Sequence, residues 1–209
     1  MKVLAIGAHA DDIELGMGGT ISKHVSNGDE VCMLIVTNSE YRFHDGTFMR
    51  SKEVALKEAK NSAKILNVSD LRCLNYETKF VTYGANLIED INRIIDELSC
   101  DIIYTHWDGD VHQDHSAIAK STMTAARNSS RVLMYRSNWY DSALRFDGTF
   151  YVDVSEHIDN KINSIKAHET EYKKYGEKWI EFYKSQTRMM GIQMGVKHAE
   201  CFKVIKWLA

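Results

Sequence analysis

His9, Asp11 and Asp12 stand together directly after the apolar run Val3-Leu4-Ala5-Ile6, in the segment Gly7-Ala8-His9-Ala10-Asp11-Asp12-Ile13-Glu14. Adjacent carboxylates repel and raise each other's pKa unless a cation or strong donors hold them. Packing gives no reason to set such a pair at the end of a core strand. A metal site does, because one carboxylate can bind the ion while its neighbour handles protons. A second polar cluster, His106, Asp108, Asp110, His112, Asp114 and His115, follows the apolar run Asp101–Thr105.

His9 and Asp12 from the first cluster and His115 from the second can close a mononuclear site. Two imidazoles and one carboxylate, with positions left for water, are the ligand set of many hydrolytic zinc centres. Fe(II) or another divalent ion can use the same set. Successive side chains point apart, so Asp11 is free to accept a proton from the metal's water, whose pKa the ion lowers towards ~7. His112 is left to donate to a developing oxyanion or a leaving amine, with Asp114 or Asp110 orienting its ring. His106 reads as an ordinary strand-end histidine.

The elements that must position these groups follow from hydrophobic period. Lys2–Gly7, Glu30–Thr37, Leu71–Asn75 and Asp101–Thr105 are continuously apolar, as buried parallel strands are. Leu87, Ile88, Ile91, Ile94, Ile95 and Leu98 mark one helix face, Ala55, Ala59, Ala63 and Leu66 a second. Ile118, Thr122, Ala125 and Ala126 mark a third helix, opening after His115. Strands alternating with helices predict an α/β fold: a Rossmann-like, mostly parallel sheet with helices on both faces, in a single domain over residues 1–209. Arg131–Tyr135, Thr149–Val154 and the segment from Phe202 to Ile205 supply further strands. In such sheets ligands bind beyond the carboxyl ends of the strands where the strand order reverses, so the first and fourth strands are expected to be neighbours and both clusters to share one crevice.

Other features bound the reading. A formal charge of −3 excludes a general nucleic-acid binder, and no apolar stretch is long enough for stable membrane insertion. Four scattered cysteines read as free thiols of a cytoplasmic protein. Gly16, Gly18 and Gly19 lack dinucleotide-fingerprint spacing and predict close packing of the first helix on the sheet. The aromatic run Tyr172, Tyr175, Trp179, Phe182 and Tyr183 reads as core or as a subunit contact in a homo-oligomer, and the loop from Asn38 to Met49 as a rim or lid.

The segment His9-Ala10-Asp11-Asp12-Ile13-Glu14 resembles the signature of the PIG-L/LmbE-like N-acetylglucosaminyl deacetylases, and His112-Gln113-Asp114-His115 resembles their second motif. Similarity continues through Arg50-Ser51-Lys52-Glu53 and Ile65-Leu66-Asn67-Val68 to Arg188, Gly191, Gly195, Val196, Ala199, Glu200 and Phe202. The resemblance implies a zinc-dependent hydrolase that removes the N-acetyl group of a small amino-sugar conjugate. By the same resemblance His9, Asp12 and His115 hold the metal, Asp11 is the general base and His112 assists at the oxyanion or leaving group. Arg50 contacts the sugar or its attached group, and Glu77 stands where relatives carry an aspartate that binds sugar hydroxyls. The chain departs from the family at Ala10 and Gln113, where proline is usual, and at Glu171, where glutamine is usual. Those departures suggest the other reading, a catalytically altered metal- and sugar-binding homologue.

Overall fold

Both faces of the first strand, β1 (Lys2–Gly7), are apolar: Leu4 and Ile6 pack to one side, Val3 and Ala5 to the other, and all four are buried. Such a strand needs cover on two sides. In the computed structural model, which describes residues 1–209, it lies in the interior of a seven-stranded sheet. The chain continues through α1 (Asp12–Ser26), β2 (Glu30–Thr37), a short hairpin of β3 (Tyr41–Arg42) and β4 (Phe48–Arg50), α2 (Lys52–Ile65) and β5 (Asp70–Tyr76). There follow α3 (Ala85–Leu98), β6 (Ile102–His106), α4 (Gln113–Ala125), β7 (Arg131–Tyr135) and β8 (Phe150–Asp153). The last elements are α5 (Ile158–Lys166), α6 (Glu169–Tyr175), α7 (Glu177–Met194) and β9 (Ala199–Trp207).

The strand order is β5-β2-β1-β6-β7-β9-β8, parallel from β5 to β7 and antiparallel in the last two pairings. The chain winds outward from β1 to β5 and then returns to place β6 on the other flank of β1, with Val3 opposite Ile102 and Ala5 opposite Tyr104. The strand order therefore reverses between β1 and β6, and the two polar clusters leave the sheet side by side, as expected. Leu87, Ile91, Ile94 and Ile95 of α3 join Leu4 and Ile6 in one core layer, while Ile13, Met17 and Ile21 of α1 join Val3 and Ala5 in the other. Two expected boundaries move. β6 runs one residue further and takes in His106, and α4 opens at Gln113 rather than after His115, so that Asp114 and His115 stand in its first turn.

The helix α1 is broken at Met17, whose φ of −151° is not helical. A break frees carbonyls before it and N–H groups after it, and buried backbone groups must find partners. Here a buried ion pair serves both ends. Lys161 Nζ donates to the carbonyls of Glu14 (2.9 Å) and Leu15 (2.7 Å), while Glu200 accepts the N–H groups of Gly19 (3.0 Å) and Thr20 (2.6 Å). The two side chains join each other at 2.7 Å. The glycines let the two halves lie close to their neighbours, as expected from their packing role: a Cβ on Gly16 would sit 2.1 Å from the Tyr135 ring, and one on Gly19 2.8 Å from Val154. Lys161→Met leaves the Glu200 charge and two carbonyls buried without their partner, so it should cost about 3–5 kcal/mol of unfolding free energy. Urea titration followed by circular dichroism checks this, and a loss below about 1 kcal/mol would show that the pair does not hold the break.

Candidate metal centre

The loop from β1 into α1 sets the geometry of the first cluster. Asp11 is the residue before the helix, a place where an Asp side chain usually caps the first turn, yet its carboxylate makes no capping bond. It is left facing a cleft of about 230 Å³, whose wall also includes His9, Asp12, Arg50, His112 and His115. Asp12 instead turns inward. Its Oδ2 accepts the backbone N–H of His9 at 2.7 Å, and its Oδ1 accepts the hydroxyl of Ser137 at 3.0 Å. The two adjacent carboxylates thus have different surroundings. Burial and the neighbouring Asp12 push the Asp11 pKa up to about 6 against the pull of Arg50. Burial opposes ionisation of Asp12 too, but His115 and His106 hold it well below the usual range.

Three atoms meet at the floor of the cleft. His9 Nδ1 lies 3.2 Å from Asp12 Oδ2, His115 Nε2 lies 3.3 Å from the same oxygen, and the two nitrogens are 3.3 Å apart. This near-equilateral triangle has the dimensions of one face of a zinc tetrahedron, whose edges are about 3.3–3.4 Å for bonds of about 2.0–2.1 Å. The far side of each imidazole faces a carboxylate: His9 Nε2 is 3.0 Å from Asp114 Oδ2, and His115 Nδ1 is 3.1 Å from Asp110 Oδ2. A proton held on each far nitrogen leaves both near nitrogens with lone pairs directed at a carboxylate oxygen. Three lone pairs that close repel one another, and a cation between them removes the repulsion. The donor set therefore fits a divalent metal. Without a metal ion the same surroundings draw a proton instead: burial alone would lower the His115 pKa, but Asp12 and Asp110 outweigh it and hold it at about 10, so a metal binds there in exchange for that proton.

Two further imidazoles come near enough to be considered. His106 and His112 each group with His115 within 4.8 Å, the first alongside Asp12 and the second alongside His9. Hydrogen bonding separates them from the triangle. His106 Nε2 accepts the Ala8 N–H at 2.9 Å, so its lone pair is occupied, and its ring stacks on His115 at 3.9 Å between centroids. His112 Nδ1 accepts the Asp114 N–H at 3.2 Å, which places its proton on Nε2 as a free donor. Burial, then His9 and His115, lower its pKa to about 4, so the ring donates as a neutral imidazole near pH 7.

The structure corrects two expected roles. The Asp114 carboxylate does not orient His112; it braces His9 and accepts the backbone N–H groups of Lys79 (2.7 Å) and Val81 (3.2 Å), and the Asp114 contact to His112 is through its backbone. Nor does the Asp110 carboxylate reach the His112 ring: it accepts the His112 backbone N–H at 2.8 Å and faces His115. Glu77 is exposed just beyond β5 and outside the cleft wall, which Thr78 and Lys79 form instead. Arg50 does line the cleft, buried, with its Nε donating to the Ser39 carbonyl at 3.2 Å. The loop after β2 forms a rim through Ser39 and Tyr41. Trp179 and Tyr183 pack with Leu15 and Ile165 as core and also reach the cleft.

His106, which reads from the sequence as an ordinary strand-end histidine, stacks on His115, and the segment after β7 carries no sequence signal of its own. Asn138 donates to Asp110 Oδ1 at 2.7 Å, and Ser137, whose carbonyl accepts from Tyr183 at 2.5 Å, supports Asp12. Their signal was position: both follow the next parallel strand, at the same edge of the sheet as the other two clusters.

The family model described as PIG-L, GlcNAc-PI de-N-acetylase, matches residues 4–126. A protein of Escherichia coli K12 described as the uncharacterized deacetylase YaiS is 30% identical, over 80% of this chain and 90% of its own length. The diacetylchitobiose deacetylase of Thermococcus kodakarensis is 25% identical over 98% of this chain and 83% of its own. Among solved structures, the N,N'-diacetylchitobiose deacetylase of Pyrococcus horikoshii, complexed with an inhibitor, superimposes with a TM-score of 0.85 at 22% identity, covering 98% of this chain and 83% of that one. With its family model spanning more than half the chain and both motifs meeting at one crevice, this chain belongs to the PIG-L/LmbE family of deacetylases.

Proposed function

We propose that the chain is a divalent-metal-dependent N-deacetylase, with zinc the favoured ion, acting on an N-acetylglucosamine-type amino sugar. The single observation that carries this is the triangle of His9 Nδ1, Asp12 Oδ2 and His115 Nε2, with the uncapped Asp11 carboxylate beside it in the cleft wall. The relatives named deacetylases, including two that act on diacetylchitobiose, support the substrate class.

His9, Asp12 and His115 would hold the cation, which supplies a Lewis acid that acidifies a water molecule and polarises the amide carbonyl. Asp11 accepts the proton of that water as its oxygen bonds to the carbonyl carbon. His112 donates from Nε2 to the carbonyl oxygen as negative charge builds there. Asp11 then passes its proton to the amide nitrogen, the C–N bond breaks, and acetate and the free amine leave. Asp114 and Asp110 orient the two imidazole ligands, and Ser137 fixes the oxygen of Asp12 that faces away from the triangle.

The test is acetate release from N-acetylglucosamine and its glycosides, with the metal content of each variant measured in parallel. Chelation should abolish turnover and zinc should restore it. Asp11→Asn should keep its metal and lose about 10²–10⁴-fold in kcat, whereas His9→Ala should lose metal and activity together. A metal-loaded Asp11→Asn enzyme with undiminished turnover would remove Asp11 from its role. A metal-loaded wild-type protein that releases no acetate favours the altered, sugar-binding homologue. Asp110→Asn should weaken zinc binding about 10–100-fold by competition with a chromogenic chelator; unchanged affinity would show that the His115–Asp110 contact does not tune the site.

A further inference from the structure

Glu171 takes no part in that chemistry, yet its carboxylate stands in the cleft wall and is only 8% exposed. Its Oε2 is 3.5 Å from Lys174 Nζ, and its Oε1 is 3.8 Å from Arg50 Nη1, too far to accept a hydrogen bond from it. Arg50 Nη1 is itself enclosed without any hydrogen-bond partner, between Glu171 and Glu58, the latter also at 3.8 Å. Glu58 is committed elsewhere, accepting both the backbone N–H and the hydroxyl of Thr170 at 2.8 Å. That contact pins the first turn of α6 and with it Glu171. The result is a carboxylate held by two cations at arm's length, rigidly mounted, with one oxygen unsatisfied.

Such an oxygen can only accept, so its partner must bring a donor. Of the donors nearest to it, Arg50 Nε goes to the Ser39 carbonyl, and Arg50 Nη1 stops 3.8 Å short of Oε1. An amino sugar carries hydroxyl donors close to its acetamido group, and the proposed substrate must lie against this wall for its amide to reach Asp11. We infer that Glu171 is a specificity residue whose Oε1 accepts a hydrogen bond from a ring hydroxyl of the amino sugar, with Arg50 and Lys174 holding the carboxylate in place. This rests on the deacetylase reading above and extends it to a feature of this chain. An amide at this position could both donate and accept. A carboxylate accepts only, so the site demands a free hydroxyl and rejects its deoxy and O-methyl counterparts. Glu77, exposed and outside the cleft, does not compete for this role.

The experiment compares methyl N-acetylglucosaminide with its 3-deoxy, 4-deoxy and 6-deoxy analogues, using zinc-loaded wild type and Glu171→Met. Acetate release gives kcat/KM, and calorimetry with the same four sugars gives affinity independently of turnover. One deoxy position should cost wild type at least tenfold in both measures, and in Glu171→Met that same penalty should shrink below threefold while the other positions are unaffected. If Glu171→Met does not fold, Glu171→Gln is measured instead, with the penalty at that position falling at least threefold. A penalty that stays the same in the variant, or the lack of one in wild type, overturns the inference while leaving the deacetylase reading intact. Sugar binding with a Glu171-dependent penalty but no acetate release would sustain the inference and overturn the deacetylase reading. No acetate release and no sugar binding overturns both.

Discussion

The site is organised around one buried carboxylate oxygen. Asp12 Oδ2 lies within 3.3 Å of the His9 ring, the His106 ring and the His115 ring, and accepts the His9 N–H at 2.7 Å. A buried charge so crowded fixes what surrounds it. His9 and His115 can both direct lone pairs at the oxygen only if their far nitrogens are held by Asp114 and Asp110. Those carboxylates in turn depend on the loop after β5 and on Asn138 after β7. Asp12 itself stands on the first turn of α1, cut short at Met17 so that its carbonyls are caught by Lys161. A buried ion pair on the far side of α1 therefore supports the turn that carries this oxygen.

The two absent prolines illustrate how a loop can be stiffened by different means. Proline fixes φ but brings no N–H. Ala10 keeps its N–H and donates it to Ser39 Oγ at 3.0 Å, tying the first motif to the loop after β2. Gln113 begins α4, the helix position where proline is favoured, and its side chain donates to the Lys79 carbonyl at 3.3 Å. Each residue makes a tertiary tie where a proline would impose a local constraint. The cost is dependence on the neighbouring loops, which are also the rims of the cleft through Ser39 and Lys79. Rigidity of the ligands and shape of the rim are thereby coupled in this chain.

What the sequence made legible was whatever depends on period and on strand ends. β1 and β2 read as strands because both faces are covered, and α3 because Leu87, Ile91, Ile94 and Ile95 share one buried face. The neighbourhood of β1 and β6 followed from the winding rule, and it carried His9, Asp11, Asp12, His112 and His115 to one cleft, which Arg50 joins from the end of β4. What stayed hidden depends on tertiary partners. The glycines around Met17 are the only local sign of the break there, and the lysine and glutamate that hold it lie far along the chain. Asp114 was assigned to His112 because they are neighbours in sequence, yet its carboxylate belongs to His9, 105 residues away. Glu77 was placed by the residues beside it, and its side chain leaves the wall that its neighbours form.

The separation of Asp11 from Asp12 is what would let one dipeptide supply both a ligand and a base in the proposed reaction. Were both carboxylates to meet the cation, each would be neutralised by it and neither would hold a proton. Were both to meet solvent, the first loop would offer only His9. The helix start resolves this. Asp12, as the first residue of α1, turns its side chain back towards the His9 N–H and the sheet, while Asp11, one position earlier and not helical, turns the other way into the cleft with Arg50. The difference in environment is a consequence of backbone direction at a helix boundary, and it follows from where α1 begins. That starting point is held in turn by the backbone bond from the Leu15 N–H to the Asp11 carbonyl at 3.0 Å, and Leu15 is the residue whose own carbonyl Lys161 retains. The division of labour between two adjacent carboxylates is thus written into the folding of a single helical turn.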